Sequence, residues 1–231
     1  MNYDKKTREG EKRTSTIQEA LLAMINGTPL VVVDNEDREN EGDLIVAAEK
    51  ATAETVAFMV RWTSGVLCVS LPSERTLELQ LPLMVEENSD SMCTAFTVSV
   101  DLRAGTTTGI SASERAATIR ALVDPSLQAY DFTRPGHVFP LRAVHEGVLK
   151  RPGHTEAAVD LARLAGLRPG GVLAEIVNDD GTMARRLQLE RFARLHGLPL
   201  ITIHDLICYR QKMETAGTRP DTTHQPDCIA A

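Results

Sequence analysis

Residues 154–178 read HTEAAVDLARLAGLRPGGVLAEIVN, and this stretch decides the fold class. Its first part, residues 154–166, has the apolar spacing of a helix. Its second part, residues 171–178, is a short apolar run of the kind that forms a buried strand, interrupted by Glu175. A helix followed at once by a buried strand predicts a sheet that is covered by helices.

The segments on either side of this stretch alternate in the same way. Helices are predicted at residues 16–26, 51–65, 111–124, 187–197 and 205–212. Strands are predicted at residues 29–34, 44–48, 66–71, 94–101 and 199–203. The alternation predicts an α/β (or α+β) fold: a single three-layer domain with a mixed sheet covered by helices.

Composition limits the classes of function. The chain has 231 residues, 42% of them hydrophobic, which is enough for one substantial core. The formal net charge of −7 argues against a broad nucleic-acid footprint, which needs a basic face. No apolar run approaches the ~18–20 residues of a membrane span, so we expect no membrane partner.

The ends of the chain differ from its middle. Residues 1–14 and 213–231 are polar, so we predict flexible tails around a domain at 15–212. The first segment has no apolar signal region. The four cysteines show no metal-like spacing, which indicates free thiols and a cytoplasmic protein.

The densest polar segment is DNEDRENEGD, residues 34–43, which lies between two predicted strands. Six of its ten residues are acidic, and Arg38 lies among them. A solvated loop is one interpretation, but clustered carboxylates repel one another unless a cation neutralises them. An EF-hand would place Ala48 at its last ligand position, where a carboxylate is required, so Mg²⁺ is the better hypothesis.

The tetrapeptide Arg-Pro-Gly-His occurs twice, at Arg134–His137 and Arg151–His154. Proline fixes one corner of a turn and glycine accepts a positive φ at the next, so we predict a turn before each histidine. The second copy leads into a helix, whose N-terminus could bind a phosphate with help from Arg151, Gly153 and Thr155. An ordinary helix capped by Thr155 is the alternative.

Two further residues stand out on predicted strands. His137 begins an apolar strand, where a lone histidine is more often a core residue than a catalyst. Glu175 interrupts a buried strand, and a buried carboxylate is costly unless it is paired or functional. The P-loop, GxGxxG, HExxH and GxSxG motifs do not occur in the sequence.

Together these segments resemble the 3,4-dihydroxy-2-butanone 4-phosphate synthase family of riboflavin biosynthesis. The resemblance covers roughly residues 15–212 and rests on five motifs in order: DNEDRENEGD, GTTTGISASER, RPGHVFPLRA, GHTEAAVDLARLAG and NDDGTMAR. It implies a lyase that converts D-ribulose 5-phosphate to L-3,4-dihydroxy-2-butanone 4-phosphate and formate, with Mg²⁺ or Mn²⁺. It also implies a homodimer with sites at the interface.

The resemblance also assigns roles to residues. Glu39 and His154 are implied as metal ligands, and His137 and Glu175 as the residues essential for proton transfer. The implied substrate contacts are Arg38, Glu39, Asp43, Arg151, Pro152, Gly153, His154, Thr155 and Glu175. A second tier nearby comprises Asp34, Glu41, Cys68 and Thr108.

The sequence departs from the family pattern at two places. Trp62 stands where relatives often carry histidine, and Met92-Cys93 stands where a glycine usually precedes the TAF segment. If that glycine has a positive φ, Cys93 is strained by ~1 kcal/mol or more. Two alternatives stay open: a paralogue that acts on another phosphosugar, and a non-catalytic metal-binding protein.

Overall fold

The computed structural model describes residues 14–217 of the chain. Its helices are α1 Ile17–Asn26, α2 Ala53–Trp62, α3 Ser73–Glu78, α4 Ala112–Leu122, α5 His154–Leu164, α6 Arg186–His196 and α7 Ile203–Thr215. Its strands are β1 Leu30–Val33, β2 Gly42–Ala47, β3 Cys68–Pro72, β4 Val100–Leu102, β5 Phe132–Ala143, β6 Gly171–Glu175 and β7 Leu200–Thr202. Short 3₁₀ turns lie at Ala48–Lys50, Ala129–Asp131 and Gly147–Leu149.

The strands form one sheet of seven in the order β4-β5-β3-β6-β2-β1-β7. The pairs β3–β5 and β1–β7 are parallel, whereas the other neighbours are antiparallel. The sheet is therefore mixed, as predicted. The antiparallel pairing of β2 and β6 brings the end of the acidic loop beside the end of the quoted stretch.

Alternate residues of each strand point to opposite faces and build two cores. Val31 and Val33 of β1 belong to one hydrophobic cluster, together with residues of α2, α4 and α6. Leu30 and Val32 belong to the other cluster, with residues of α1, α5 and α7. The sheet is thus buried on both sides, which confirms the predicted three-layer domain.

Local signals explain the helix ends. The side chain of Thr16 accepts a hydrogen bond from the N–H of Glu19, and the Glu19 carboxylate accepts one from the N–H of Thr16, which starts α1. Gly27 ends this helix at φ 70°, a conformation that glycine adopts without strain. Helix α7 starts in the same way, with Thr202 and Asp205, and continues to Thr215.

The two ends of the chain are only partly covered. Residues 1–13 of the predicted N-terminal tail and residues 218–231 of the predicted C-terminal tail lie outside the described residues. Helix α7 extends three residues into the predicted tail of 213–231, because nothing in Met213–Thr215 interrupts the helical backbone. In the described part of the chain, no helix is long and apolar enough to cross a membrane.

The positive-φ glycine predicted at the turn of each Arg-Pro-Gly-His copy is wrong, although the second copy does turn tightly, with the N–H of Gly153 donating to the Arg151 carbonyl at 2.8 Å. The first copy lies inside the extended strand β5. Glycine is needed at position 136 because the backbone of Val100 comes so close that a Cβ would lie 2.0 Å from its carbonyl carbon. In the second copy, Gly153 has φ −116° and is the N-cap of α5, so Thr155 is not the cap. Neither glycine is required for a positive φ.

The predicted strand at residues 94–101 is largely absent. Only Val100 and Asp101 of it fall in a strand, and Phe96 and Thr97 make isolated bridges to Leu141 and Leu83. The turn at Cys93, with φ 52°, interrupts the extended backbone just before this segment.

Candidate active site

One cleft brings together most of the residues that the sequence singled out. Its walls come from the acidic loop, the ends of β2 and β6, the start of α5 and residues of β3 and β5. The residues that line it are Arg38, Glu39, Glu41, Asp43, Cys68, Thr94, Phe96, Leu141, Arg151, His154, Thr155, Leu173 and Glu175.

Two carboxylates face the cleft from adjacent strands. Asp43 of β2 and Glu175 of β6 are direct partners in the antiparallel register. Like charges placed opposite each other destabilise a sheet unless something offsets their repulsion. Glu175 accepts a hydrogen bond from the hydroxyl of Ser64 at 2.7 Å. Asp43 is buried, and its Oδ1 has no hydrogen-bond partner.

Asp34 organises the acidic loop. Its buried carboxylate accepts hydrogen bonds from the backbone N–H groups of Glu39 and Glu41, at 3.0 and 2.9 Å. It also accepts one from the guanidinium of Arg38 at 3.0 Å, and Arg38 donates a second hydrogen bond to Glu39. Asp34 therefore holds Glu39 in place in two ways: it accepts a hydrogen bond from the Glu39 backbone, and it binds Arg38, which in turn binds the Glu39 side chain.

A second arginine fastens this loop from outside. Arg185, just before α6, donates hydrogen bonds to the backbone carbonyls of Glu39, at 2.9 Å, and Asn40. Asn40 has φ 54°, a left-handed conformation that asparagine tolerates better than most residues. Arg185 belongs to the NDDGTMAR motif, so this motif supports the loop that carries the implied metal ligand.

His154 presents one ring nitrogen to these carboxylates. Its Nε2 lies 3.1 Å from the carbonyl oxygen of Val32, which can only accept, so Nε2 carries a proton. Its Nδ1 lies 3.7 Å from a carboxylate oxygen of Glu39 and 3.7 Å from Oδ1 of Asp43. The backbone of β1 therefore fixes the ring so that Nδ1 points to the acidic side of the cleft.

The charges in this cluster shift one another's pKa. Burial raises the pKa of Asp43 to about 7, against the opposing effect of His154. Burial lowers the pKa of His154, but Asp43, Glu39 and Asp34 outweigh it and raise the pKa to about 9. The neighbouring His154, followed by Arg38, lowers the pKa of Glu39. Without a metal, a proton on His154 therefore balances part of the negative charge.

These residues fit a divalent cation. One ligand atom each from Asp34, Glu39 and His154 lie within 4.8 Å of one another. Asp34 already accepts three hydrogen bonds, whereas Oδ1 of Asp43 accepts none. A cation would replace the proton on His154 and supply a partner for the buried oxygen of Asp43. Glu39 and His154 remain the ligands that the donor set favours.

The cleft also has a cationic side, which adjoins the acidic cluster at Arg38. Arg38 and Arg151 both line it, and a Cβ on Gly153 would lie within 3.1 Å of a nitrogen of each. Arg151 is held by the buried carboxylate of Glu156 at 2.6 Å and by the Met92 carbonyl at 3.0 Å. Gly153 offers no side-chain cap, so the first N–H groups of α5, which begins beside the cleft at His154 and Thr155, have no side-chain acceptor. Such a group of donors suits a phosphate.

Apart from Cys68, the sequence did not single out the remaining wall of the cleft. Thr94, Phe96, Leu141 and Leu173 line it together with Cys68. Leu173 lies two residues before Glu175, and this strand alternation could have indicated it. Burial raises the pKa of the Cys68 thiol, so this cysteine is a poor nucleophile here.

The structure does not bring every predicted residue to the cleft. Pro152 and Gly153 flank it without lining it, and Thr108 is exposed in a separate loop. His137 is also absent from its walls: it lies four residues before Leu141 on β5, a distance of roughly 13 Å along the strand. There its Nδ1 contacts Asp101 of β4 at 2.7 Å.

The two departures from the family pattern lie outside the charged cluster. Cys93 has φ 52°, so the strain expected at this position is present. Trp62 packs against Phe58, Phe192 and His196, with ring centroids 5.0 to 6.5 Å away, and Arg61 lies over its ring. It therefore belongs to an aromatic cluster between α2 and α6 and does not line the cleft.

Comparison with known sequences gives a family. The family model described as 3,4-dihydroxy-2-butanone 4-phosphate synthase matches residues 18–209. The 3,4-dihydroxy-2-butanone 4-phosphate synthase of Agrobacterium fabrum is 57% identical over 84% of this chain and 91% of that protein. The riboflavin biosynthesis protein RibBA of Salinispora arenicola is 59% identical over 86% of this chain. The chain spans only 47% of that longer protein.

Comparison with solved structures gives the same result. A crystal structure of 3,4-dihydroxy-2-butanone 4-phosphate synthase in complex with two magnesium ions superposes with a TM-score of 0.84 at 50% identity. That alignment covers 87% of this chain and 98% of the other. A cation-free form of such an enzyme superposes with a TM-score of 0.82 at 48% identity, over 87% and 100% of the two chains.

Proposed function

The chain belongs to the 3,4-dihydroxy-2-butanone 4-phosphate synthase family, and we propose that it is the lyase of riboflavin biosynthesis that converts D-ribulose 5-phosphate to L-3,4-dihydroxy-2-butanone 4-phosphate and formate. The observation that carries this proposal is the make-up of the cleft. A carboxylate–histidine cluster lines it, and two arginines with a helix N-terminus adjoin that cluster. A sugar phosphate likewise has a carbonyl end, which suits the first group, and a phosphate, which suits the second.

The cationic side would bind the phosphate. Arg38 and Arg151 supply guanidinium groups, and Thr155 and the N–H groups at the start of α5 supply neutral donors. Pro152 and Gly153 contribute backbone only, and the bare Cα of Gly153 leaves room for both arginines. The phosphate is a remote handle whose binding energy orients the reacting carbons.

Glu39 and His154 would hold Mg²⁺ or Mn²⁺, with Asp43 close enough to assist. When bound, the cation polarises the substrate carbonyl and stabilises the charge of an enediolate. Val32 holds the ring of His154, and Asp34, Arg38 and Arg185 hold Glu39. The protein thus fixes both ligands before the cation arrives.

The reaction enolises the substrate, eliminates water, shifts the carbon skeleton and uses a water to release formate. The water lost and the water used cancel, so no oxidant is needed. Each step moves a proton, which requires groups that gain and lose protons near neutral pH. We assign Glu175 to these transfers, and Asp43 lies beside it as its partner across the strands.

We place His137 in the same reaction, as the acid/base that a second copy of the chain would contribute. Its side chain is 42% exposed and lies outside the cleft of its own chain. A homodimer with sites at the interface, as the family resemblance implies, would bring it and Thr108 to a neighbouring cleft. We propose residues 15–212 as the catalytic domain and the cytoplasm as its location.

A paralogue that acts on another phosphosugar uses the same cleft and is the second candidate. The full set of acid/base and phosphate-binding side chains disfavours the third candidate, a non-catalytic metal-binding protein, because metal binding alone does not need Glu175 or two arginines. The test is to incubate the protein with Mg²⁺ and ribulose 5-phosphate labelled with ¹³C at C4. We expect labelled formate by NMR, and none after EDTA. A folded, metal-binding protein that makes no formate would favour the paralogue.

A further inference from the structure

A second polar cluster lies outside the cleft, where β4 pairs with β5. The ring Nδ1 of His137 lies 2.7 Å from Oδ2 of Asp101, and the backbone N–H of His137 donates to Oδ1 of Asp101 at 3.0 Å. Both oxygens of one carboxylate therefore contact the same residue. The Asp101 side chain is 9% exposed and that of His137 is 42% exposed, so a buried acid holds a histidine that solvent can reach.

Two glycines and a shift in strand register make room for the contact between Asp101 and His137. The register between β4 and β5 shifts between Val100 and Asp101. A Cβ on Gly136 would lie 2.3 Å from the backbone nitrogen of Asp101, and one on Gly109 would lie 2.2 Å from its Oδ2. Glycines from two different segments thus leave the space that the Asp101–His137 contact occupies.

This contact decides which ring nitrogen of His137 carries the proton. A carboxylate only accepts, so the nitrogen that faces it, Nδ1, is the N–H of the neutral ring. Nε2 is left with its lone pair on the exposed side, where it can accept a proton from a bound molecule. The carboxylate then stabilises the imidazolium that forms, and the backbone hydrogen bond prevents the acid from rotating away.

We propose that Asp101 is a positioning residue for His137, which it holds in the tautomer and orientation needed for proton transfer. This proposal rests on the proposed function. In the step concerned, a carbon–hydrogen bond of the sugar phosphate breaks, its electron pair stays on the substrate as an enediolate, and the proton goes to Nε2 of His137. The same nitrogen returns the proton in a later step, so His137 ends unchanged.

Other charged groups lie around the cluster. The guanidinium of Arg115, buried on α4, is close enough to Asp101 to interact electrostatically. Glu114 of α4 faces the loop in front of it and accepts hydrogen bonds from Thr107 and from the N–H of Gly109. Asp101 is thus the charged group that contacts the ring of His137 among the described residues.

The variant that tests the proposal is Asp101→Asn, which keeps the shape but offers an N–H₂ group toward the ring or the backbone. We expect kcat to fall by about 10²-fold or more, with KM and Mg²⁺ affinity within about twofold of wild type. The limb of the kcat–pH profile that reports His137 should also move. Asp160→Asn is the matched control, since Asp160 is also buried and accepts from Val148 and Arg210 instead.

A second measurement needs no variant and no activity. The ¹⁵N shifts of the His137 ring, recorded over a pH series, report the tautomer of the neutral form. A proton on Nδ1 supports the proposal, and a proton on Nε2 overturns it even if Asp101→Asn does not fold. An Asp101→Asn enzyme with wild-type kcat and pH profile also overturns it. If wild type makes no formate, the proposed function fails, while the ring shifts still test the positioning of His137.

Discussion

The two Arg-Pro-Gly-His copies share every side chain and almost nothing else. In the first, Arg134 donates to the backbone carbonyls of Leu79 and Ala129, and His137 is half exposed on β5. In the second, Arg151 lines the cleft and His154 is buried beside two carboxylates at the start of α5. The same four residues therefore form part of a strand in one place and lead into a helix in the other.

The difference comes from the segment on the C-terminal side of each copy. After His137 the chain continues as VFPLRA, which pairs with β3 and keeps the tetrapeptide extended. After His154 it continues as TEAAVDLARL, which forms a helix. The tetrapeptide accommodates either backbone because neither glycine needs a positive φ. The neighbouring segments, and not the tetrapeptide itself, therefore determine the role of each histidine.

The largest expected effect separates the two histidines. His154→Ala removes the nitrogen that completes the metal cluster, so we expect both Mg²⁺ binding and formate production to be lost. His137→Ala leaves that cluster intact, so we expect Mg²⁺ affinity to persist while kcat falls by about 10²–10⁴-fold. Titration calorimetry and the formate assay measure the two properties. Loss of Mg²⁺ affinity in His137→Ala, with none in His154→Ala, would contradict the division.

The two glycines should differ in their effect on stability. In Gly136→Ala the new methyl group meets backbone atoms of Val100 and Asp101, at 2.0 and 2.3 Å, which cannot move without breaking the β4–β5 pairing. We expect the free energy of unfolding to fall by about 3 kcal/mol. In Gly153→Ala the methyl group meets the ends of the Arg151, Glu156 and Arg38 side chains, at 2.5, 3.0 and 3.1 Å.

Those side chains can move, so Gly153→Ala should change the free energy of unfolding by less than about 1 kcal/mol, since φ −116° suits alanine. Its effect should be a higher KM, because the displaced arginines bind the phosphate. Urea unfolding and substrate titration separate the two variants. If Gly136→Ala and Gly153→Ala lose equal amounts of unfolding free energy, then a methyl group is tolerated equally at both glycines, contrary to the structure.

The two arginines extend the comparison to a smaller effect. Arg151→Lys keeps the charge but loses the planar fork, and we expect KM to rise about 10-fold with kcat nearly unchanged. Arg134→Lys loses hydrogen bonds to two backbone carbonyls, and we expect a loss of about 1 kcal/mol of unfolding free energy with little change in KM. Steady-state kinetics and urea unfolding of both variants check this. If KM rises as much in Arg134→Lys as in Arg151→Lys, then the two arginines do not differ in their effect on substrate binding, contrary to this prediction.

The sequence predicted the layers of the fold well because they depend on repeating local patterns. The runs around Val31, Leu44 and Val172 are apolar on both faces, and the structure buries them on both faces. These layers come from short stretches whose physical preferences are strong. The family resemblance, and not a local pattern, implied that the acidic loop and the start of α5 share one site, and they line the same cleft.

The features that the sequence did not indicate depend on contacts between distant segments. The extended backbone at Gly136 results from its approach to Val100, 36 residues earlier, and no local pattern records that approach. The separation of His137 from the cleft results from the register of β5, and the apolar wall at Phe96 and Leu141 results from an isolated bridge. In the first copy strand pairing overrides the turn that Pro-Gly favours, whereas the second copy keeps a tight turn, without a positive φ, just before α5.

The smallest expected effect concerns the loop at residues 92–94, which contacts Arg151 of the second copy. Met92 and Thr94 accept hydrogen bonds from Arg151, and Cys93 between them has φ 52°, which costs a residue with a side chain ~1–2 kcal/mol. Cys93→Gly relieves that strain but adds freedom to the unfolded chain. We therefore expect a net gain of about 0.5–1 kcal/mol in the free energy of unfolding, measured in urea, with KM unchanged.

Cys93→Ala is the control for this last prediction, because it removes the thiol and keeps the strained φ. The difference between the glycine and alanine variants isolates the backbone contribution from that of the thiol, whose sulfur lies 3.4 Å from the carbonyl oxygen of Asp90. If both variants gain equally, the strain lies in the thiol contact. If KM falls in Cys93→Gly alone, the strained loop limits the position of Arg151. The second copy would then depend on a segment 59 residues from Arg151, just as the first copy depends on the approach of Val100 to Gly136.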